Sequence, residues 1–407
     1  MIFFRNSFFR FLFATILFFV VACSTPNGNN KKTVADDDSA SDDDFFDDDS
    51  QNISCAPGAC DDLAFINTGV EEVILAGPIG YYNSNIRSNQ PGEEWAELGA
   101  GDLDGDGLFD LVFTVLSDSP SPFYVALNEG GGNFKWQKQA TLTCQSVEYS
   151  NRGVALADIN HDGCIDVAFA GNQCLAYSFG DCSGQFGDVT LVKTDLAATT
   201  VAFGDFNHDG YLDMVIGGTG GIEVFLNDGQ DGLQLGNTYD VSASWLATAD
   251  FNEDGKMDIV AASTAETSIL LGHGDGTFSV SPKKYPGAFS VSVADLNNDG
   301  HLDYLLSGAG GKRAIAVYLG KGNGSFVPGF SYDDLCVQIT FMATVGEFDG
   351  DGNVDIIAAC HDLFKSKTSS YDSALLTILS GNGDGSFHNP FSLDTYQADS
   401  IIASKFH

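Results

Sequence analysis

Positive charge is what this chain has least of. Its 407 residues hold 18 Lys and Arg against 56 Asp and Glu, a formal net charge of −38. Such a surface repels phosphate and anionic lipid over a Debye length of about 10 Å, which excludes nucleic acid and bare anionic membranes as partners. Long apolar runs are also scarce. The one near the start, Phe11 to Ala22, is too short to span a bilayer comfortably, and no second one follows. Catalytic signatures are missing as well: there is no HExxH, no GxSxG and no phosphate-binding loop. Of the seven His, His161, His208 and His301 stand in acidic segments and His273 in a Gly-rich one, leaving His361, His388 and His407.

The apolar run follows Arg5 and Arg10 and ends in Val20-Val21-Ala22-Cys23. Small or apolar residues directly before a Cys resemble the bacterial lipobox, so residues 1–22 are expected to be a lipoprotein signal peptide and Cys23 the lipidated residue. Residues 23–54 carry nine Asp between Asp36 and Asp49 and little that could be buried. Self-repulsion should keep them an extended, disordered linker. The expected location is the cell envelope, on its periplasmic or outer-surface side, with the lipid as the only contact with membrane.

Residues 55–407 then form the folded domain, and its organising feature is a nine-residue acidic motif. DLDGDGLFD supplies Asp102, Asp104, Asp106 and Asp110, and DINHDGCID supplies Asp158, Asn160, Asp162 and Asp166. DFNHDGYLD supplies Asp205, Asn207, Asp209 and Asp213, and DFNEDGKMD supplies Asp250, Asn252, Asp254 and Asp258. DLNNDGHLD supplies Asp295, Asn297, Asp299 and Asp303, and EFDGDGNVD supplies Glu347, Asp349, Asp351 and Asp355. Successive motifs start 56, 47, 45, 45 and 52 residues apart, the spacing of a tandem array.

Short apolar segments flank every motif. TVAFGDF and WLATADF come before, DMVIGG and DIVAAS after, all of strand length and without helical periodicity. A second recurring element follows each, as in LGHGDGTF from Leu271 and LGKGNGSF from Leu319, with the Gly and Asn that tight β turns require. Each period reads as strand, acidic loop, strand, top loop, strand, Gly-rich turn, strand. Four antiparallel strands in about 45 to 55 residues is the size of a propeller blade.

These motifs resemble the FG-GAP or VCBS repeats, the calcium-bearing β-propeller also found in the integrin alpha chain. The resemblance covers roughly residues 60 to 407 and implies an all-β, seven-bladed ring, although the sequence holds six acidic loops. Leu63 to Tyr82 aligns with second and third strands and their turn, and the terminal SIIASKFH with a first strand. A seventh blade closed by strands from both termini is therefore expected, which removes exposed sheet edges.

Calcium takes six to eight oxygens, and alternate residues 1, 3 and 5 with a backbone carbonyl at 7 can wrap around one ion. Position 7 varies freely, from Leu108 and Cys164 to Tyr211, Lys256, His301 and Asn353, as a carbonyl ligand allows. An EF-hand also needs Glu at position 12, where this chain has Phe113, Phe169, Ile216, Ala261, Leu306 and Ala358. The reading is thus a β-hairpin loop closed by Asp at position 9, with about six Ca2+ sites. Glu347 makes the last of them the most divergent.

Eight cysteines besides Cys23 in an exported chain suggest disulfides. In the propeller topology Cys164 and Cys182 share the acidic-loop face, and Cys144 with Cys174, and Cys336 with Cys360, share the other, leaving Cys55 with Cys60. The integrin-like resemblance implies a calcium-stabilised surface module that binds an extracellular or envelope protein or a glycan. Its ligand face would lie opposite the acidic loops, where Arg87, Lys365 and Lys367 sit in two long connections. The alternative is a polysaccharide lyase or glycosidase on the same scaffold, which would need paired carboxylates in a pocket there.

Overall fold

The computed structural model describes residues 63–67, 72–76, 94–116, 121–129, 134–142, 153–229, 232–309, 314–333, 339–346, 351–362, 373–388, 391–396 and 400–404. The expected signal peptide and linker lie outside the described residues, as do Cys23, Cys55, Cys60, Cys144, Cys336, Arg87, Lys365, Lys367, Glu347 and Asp349. Among the described residues there is no α-helix. Every paired strand is antiparallel.

Four sheets have the expected four strands in chain order. They are β3 (Glu94–Gly101), β4 (Asp110–Leu116), β5 (Ser121–Asn128) and β6 (Phe134–Leu142); β13 (Trp245–Ala249), β14 (Asp258–Ala262), β15 (Glu266–Gly272) and β16 (Phe278–Pro286); β17 (Ser290–Ala294), β18 (Asp303–Ser307), β19 (Ile315–Gly320) and β20 (Phe326–Tyr332); and β21 (Ile339–Gly346), β22 (Asp355–Asp362), β23 (Ser373–Leu379) and β24 (Phe391–Tyr396). A fifth sheet has six strands: β7 (Val154–Ala157), β8 (Asp166–Ser178), β9 (Thr190–Gly204), β10 (Asp213–Gly218), β11 (Gly221–Asn227) and β12 (Leu233–Tyr239).

The expected seven blades are thus corrected to five of four or more strands. One is lost because the sheet of the two termini has three strands, and the other through β9. Thr190 to Phe203 contains neither Gly nor Pro, so the chain passes from the last strand of one repeat to the first strand of the next without a break. The same strand pairs β8 through Thr190, Leu191, Val192 and Lys193, and pairs β10 through Ala198 to Gly204. Two acidic loops consequently belong to one sheet.

The termini do meet. β25 (Ser400–Ser404) pairs with β2 (Glu72–Ala76), which pairs with β1 (Leu63–Asn67). The order within this three-stranded sheet differs from the expected one, because β2, not β1, receives the C-terminal strand. Both β1 and β2 are five-residue apolar runs, LAFIN and EVILA, so their hairpin can present either edge and sequence pattern does not choose between them.

The core lies between neighbouring sheets. Val260 and Ile269 pack with Val291, Tyr304, Leu306 and Tyr318 of the next sheet, and Val215 and Val224 pack with Leu246, Ile259 and Leu270. Strands β10, β14 and β18 are buried along their whole length, which explains why they read as continuous apolar runs and not as alternating ones. The outermost strands are instead exposed, and β16 carries Lys283 and Lys284 there, charges that discourage edge pairing. In each repeat the acidic loop and the Gly-rich turn fall at the same end of the sheet.

Candidate metal centres in the acidic loops

Each loop is built around one buried carboxylate, the Asp at position 9. Asp110, Asp166, Asp213, Asp258, Asp303 and Asp355 are all fully buried, at 0% exposure. One oxygen accepts the backbone N–H of loop position 2: Leu103 and Asp110 are 2.8 Å apart, Ile159 and Asp166 2.8 Å, Phe206 and Asp213 2.8 Å, Phe251 and Asp258 3.0 Å, Leu296 and Asp303 2.9 Å. The other oxygen accepts the first N–H of the Gly-rich turn, from Asn128, Gly180, Asn227, Gly272, Gly320 or Gly381, at 2.7–2.8 Å. This residue therefore staples the acidic loop to the turn of its own unit.

The turn residue that donates is Gly in four units for a steric reason. A Cβ on Gly180, Gly272, Gly320 or Gly381 would collide with the position-8 carbonyl oxygen of Ile165, Met257, Leu302 or Val354. In the other two units Asn takes its place, and the Asn128 and Asn227 side-chain amides donate to that same carbonyl, of Phe109 and Leu212, at 3.3 and 3.2 Å.

Positions 1, 3 and 5 face outward. Position 2 is buried in every described loop, the described residues at positions 1 and 3 are half-buried, and those at 4 to 6 are exposed. The position-1 carboxylate spans the loop. Asp158, Asp205, Asp250 and Asp295 accept from the position-5 N–H with one oxygen and from the position-6 Gly N–H with the other, at 2.8–3.2 Å. The position-5 carboxylate accepts from the position-7 N–H of Cys164, Tyr211, Lys256, His301 or Asn353. Such nested turns need left-handed backbone at two places. Position 6 is Gly, at φ of 84–92° from Gly107 to Gly352. Position 4 adopts it too, in His161, His208, Glu253 and Asn298 at φ of 55–62°, a requirement the motif did not reveal.

These carboxylates crowd one another. Asp102, Asp104 and Asp106 bring one oxygen each within 4.8 Å, a grouping able to hold a cation. In three of the four loops with Asn at position 3 the arrangement is relaxed, because Asn160, Asn207 and Asn297 donate to the position-5 carboxylate at 2.8–3.0 Å; in the fourth the Lys256 ammonium donates to Asp254 at 3.2 Å. Burial pushes Asp110, Asp166, Asp213 and Asp303 up to about 6 and Asp258 to about 7; backbone N–H bonds oppose it and the outward carboxylates of the same loop add to it. Burial also raises Asp104, with Asp106 next in effect. The structure thus places positions 1, 3 and 5 around one mouth and holds position 9 in its base.

The expected Cys164–Cys182 pair is a disulfide, joining position 7 of one loop to its Gly-rich turn, with Cα atoms 4.9 Å apart. Cys174 is also disulfide-bonded; its expected partner Cys144 lies outside the described residues. Of Cys360 only the backbone, in β22, is described. Among the described residues the one buried carboxylate outside the loops is Glu223 of β11. It accepts from the Asp195 backbone N–H, burial and the Asp195 carboxylate raise its pKa, and its Oε2 has no partner.

Comparison with known families places these loops. The FG-GAP-like repeat model matches residues 92–169, 205–261, 250–306 and 295–358, more than half of the chain. The chain is an FG-GAP-like repeat protein. Among solved structures, this FG-GAP-like protein is similar to an Agrocybe aegerita lectin described as recognising non-reducing terminal N-acetylglucosamine, with 20% identity, a TM-score of 0.52, and 83% of this chain and 92% of the lectin covered. It is also similar to the V. cholerae biofilm matrix protein Bap1, at 12% identity and a TM-score of 0.41 over 80% of this chain and 69% of that one. An ancestral GH74 enzyme matches at 14% identity and 0.44 over 74% and 38%. No relative is found among the curated proteins. The likeness to the lectin supports the propeller fold.

Proposed function

We propose that this protein is a calcium-stabilised binding module of the bacterial cell envelope, held there by a lipid on Cys23, whose acidic loops take up divalent cations and whose opposite face binds a protein or glycan. The observation that carries the cation reading is the convergence of Asp102, Asp104 and Asp106 within 4.8 Å above the stapled base Asp110, in a loop design repeated along the chain. Burial, and after it the neighbouring Asp106 and Asp102 carboxylates, raise the pKa of Asp104, and a hard cation with oxygen ligands relieves that repulsion. Which residues would hold the ion follows from the loops: positions 1, 3 and 5, the position-7 carbonyl, and position 9 through whatever lone pairs its two N–H bonds leave free.

For the ligand, a lectin of similar fold makes glycans the first class to screen, with Arg87, Lys365 and Lys367 replaced in turn to test the proposed face. Among the described residues outside the loops an enzyme reading would start from Glu223, and that buried carboxylate beside an exposed Asp195 does not make an acid–base pair in a pocket. The test is calorimetric calcium titration of the domain with melting curves in calcium and in chelator. About five or six sites of roughly 0.1 to 1 mM affinity, with a large rise in melting temperature, are expected; no heat and no shift would reduce the loops to turns.

A further inference from the structure

Positions 4 and 7 of the acidic loops are the ones that vary most in residue type, yet the structure pairs them between neighbours. The Glu253 carboxylate, at position 4 of its loop, contacts Nδ1 of His301, at position 7 of the next. Asn298, at position 4 of that next loop, donates from Nδ2 to Oδ1 of Asn353, at position 7 of the one after, at 3.1 Å. His161 and Tyr211 stand in the same relation, with ring centroids 5.4 Å apart. Three links of one kind, made by three different chemistries, join the second loop to the third, the fourth to the fifth and the fifth to the sixth, and define a belt along the loop face that is interrupted between the third and the fourth.

Beneath the belt a single turn position is kept small. A Cβ on Gly322 would come within 2.6 Å of the His301 ring and 2.7 Å of the Glu253 carboxylate, and one on Gly383 within 2.7 Å of Asn298. Gly229 and Gly274 lie in the same way under Tyr211 and Lys256. All four have positive φ, at 63–74°. In a fifth unit the equivalent residue is Cys182, and there the position-7 side chain, Cys164, is bonded to it covalently.

We infer that this belt couples cation binding between adjacent loops, with Glu253 and His301 as positioning residues for each other's site. Position 4 sits between the outward oxygens at 3 and 5, so an ion that orders those residues also fixes the position-4 side chain. Position 7 of the next loop contributes a backbone carbonyl to the proposed ion and its N–H to the position-5 carboxylate, so its side-chain partner holds that peptide in place. Filling one loop thereby prepares its neighbour. The inference rests on the proposal that the loops bind divalent cations, and it adds that they do not do so independently.

The position-6 glycines give a separate reading of each loop, since the Gly255 and Gly300 amides bond to Asp250 and Asp295. Their NMR signals are followed in the whole chain as Ca2+ is added. Weakening the first of these loops with Asp254→Asn, which keeps an oxygen to accept from the Lys256 N–H, and with Asp250→Asn, which keeps one of its two acceptor oxygens, is expected to raise the calcium midpoint at Gly300 about fivefold or more. Adding Glu253→Ala should make Gly300 indifferent to those changes, whereas Glu253→Gln, which can still bond His301, should preserve the dependence. A Gly300 midpoint that ignores the neighbouring loop, or that still follows it in Glu253→Ala, overturns the inference while leaving the cation reading intact. Silence of both glycines up to about 10 mM calcium, well above extracellular affinities, overturns both. Far-ultraviolet circular dichroism identifies any variant that fails to fold, and the Glu253→Gln result then decides.

Discussion

The mouth and the base of each acidic loop are made of the same residue in opposite surroundings. At the mouth, Asp250 and Asp254 look outward and bond only to N–H groups within their own loop. At the base, Asp258 is fully buried and bonds to Phe251 within the loop and to Gly272 outside it. A carboxylate in water is cheap and available, whereas a buried one is expensive and must be fully engaged. The loop thus separates its two tasks, presenting charge at one end and anchoring the hairpin at the other.

The largest effect should come from removing the base. Asp258→Ala leaves the Phe251 and Gly272 N–H groups buried without their acceptor, and each such loss costs about 1–3 kcal/mol. The expected destabilisation is on the order of 3 kcal/mol with or without calcium, measured by chemical denaturation in calcium and in chelator. Asp254→Asn at the mouth should instead leave the protein in chelator almost unchanged. Equal losses from both variants would erase the distinction between mouth and base.

A smaller effect follows from protonation of the base. Its carboxylates have folded-state pKa values of about 6, and Asp258 about 7, raised by burial and then by the mouth carboxylates, against the ordinary 3.8. A pKa higher in the folded state favours the folded state when the group is protonated. Their contribution is therefore complete below about pH 4 and lost as pH rises through 6 to 7. In chelator the melting temperature should be higher at pH 5 than at pH 8, and calcium should narrow that gap. Asp258→Asn should make the profile in chelator shallower but not flat, because Asp110, Asp166, Asp213 and Asp303 remain; a slope unchanged by that substitution would assign it to the general negative charge of the chain instead.

Much of this architecture could be read from the sequence because the repeat states each element several times. The strand–loop–strand–turn order follows from apolar runs of strand length between Asp-rich and Gly-rich punctuation, and the shared face of loop and turn is enough to bring Cys164 to Cys182. What escaped reading has identifiable causes. Asp at position 9 and Asp at position 1 are one letter, and only burial tells the anchor from the outward group. The joining of two repeats in one sheet depends on β9 lacking Gly and Pro across its turn, a signal that is present but easily passed over beside the stronger motifs. The belt at positions 4 and 7 conserves a contact and not a residue type, so neither position shows a pattern when each is read along the chain.

The smallest effect sharpens the comparison within the loop's outward half, where two left-handed positions differ in what occupies them. Gly300, at position 6, has φ of 88° and nothing within 4 Å of where a Cβ would stand, so space does not forbid a side chain; the backbone alone does. Gly300→Ala should then cost about 1 kcal/mol, the price of that conformation for an L residue, with no loss of packing. His208, at position 4, already bears such a conformation at φ of 62°. His208→Gly removes that strain but frees the unfolded chain, and the two terms oppose each other at a similar size of several tenths to 1 kcal/mol. Stability should therefore stay within about 0.5 kcal/mol by denaturant titration. A marked loss in His208→Gly would mean that this side chain, too, holds the neighbouring loop, which would carry the belt across its gap between His208 and Lys256.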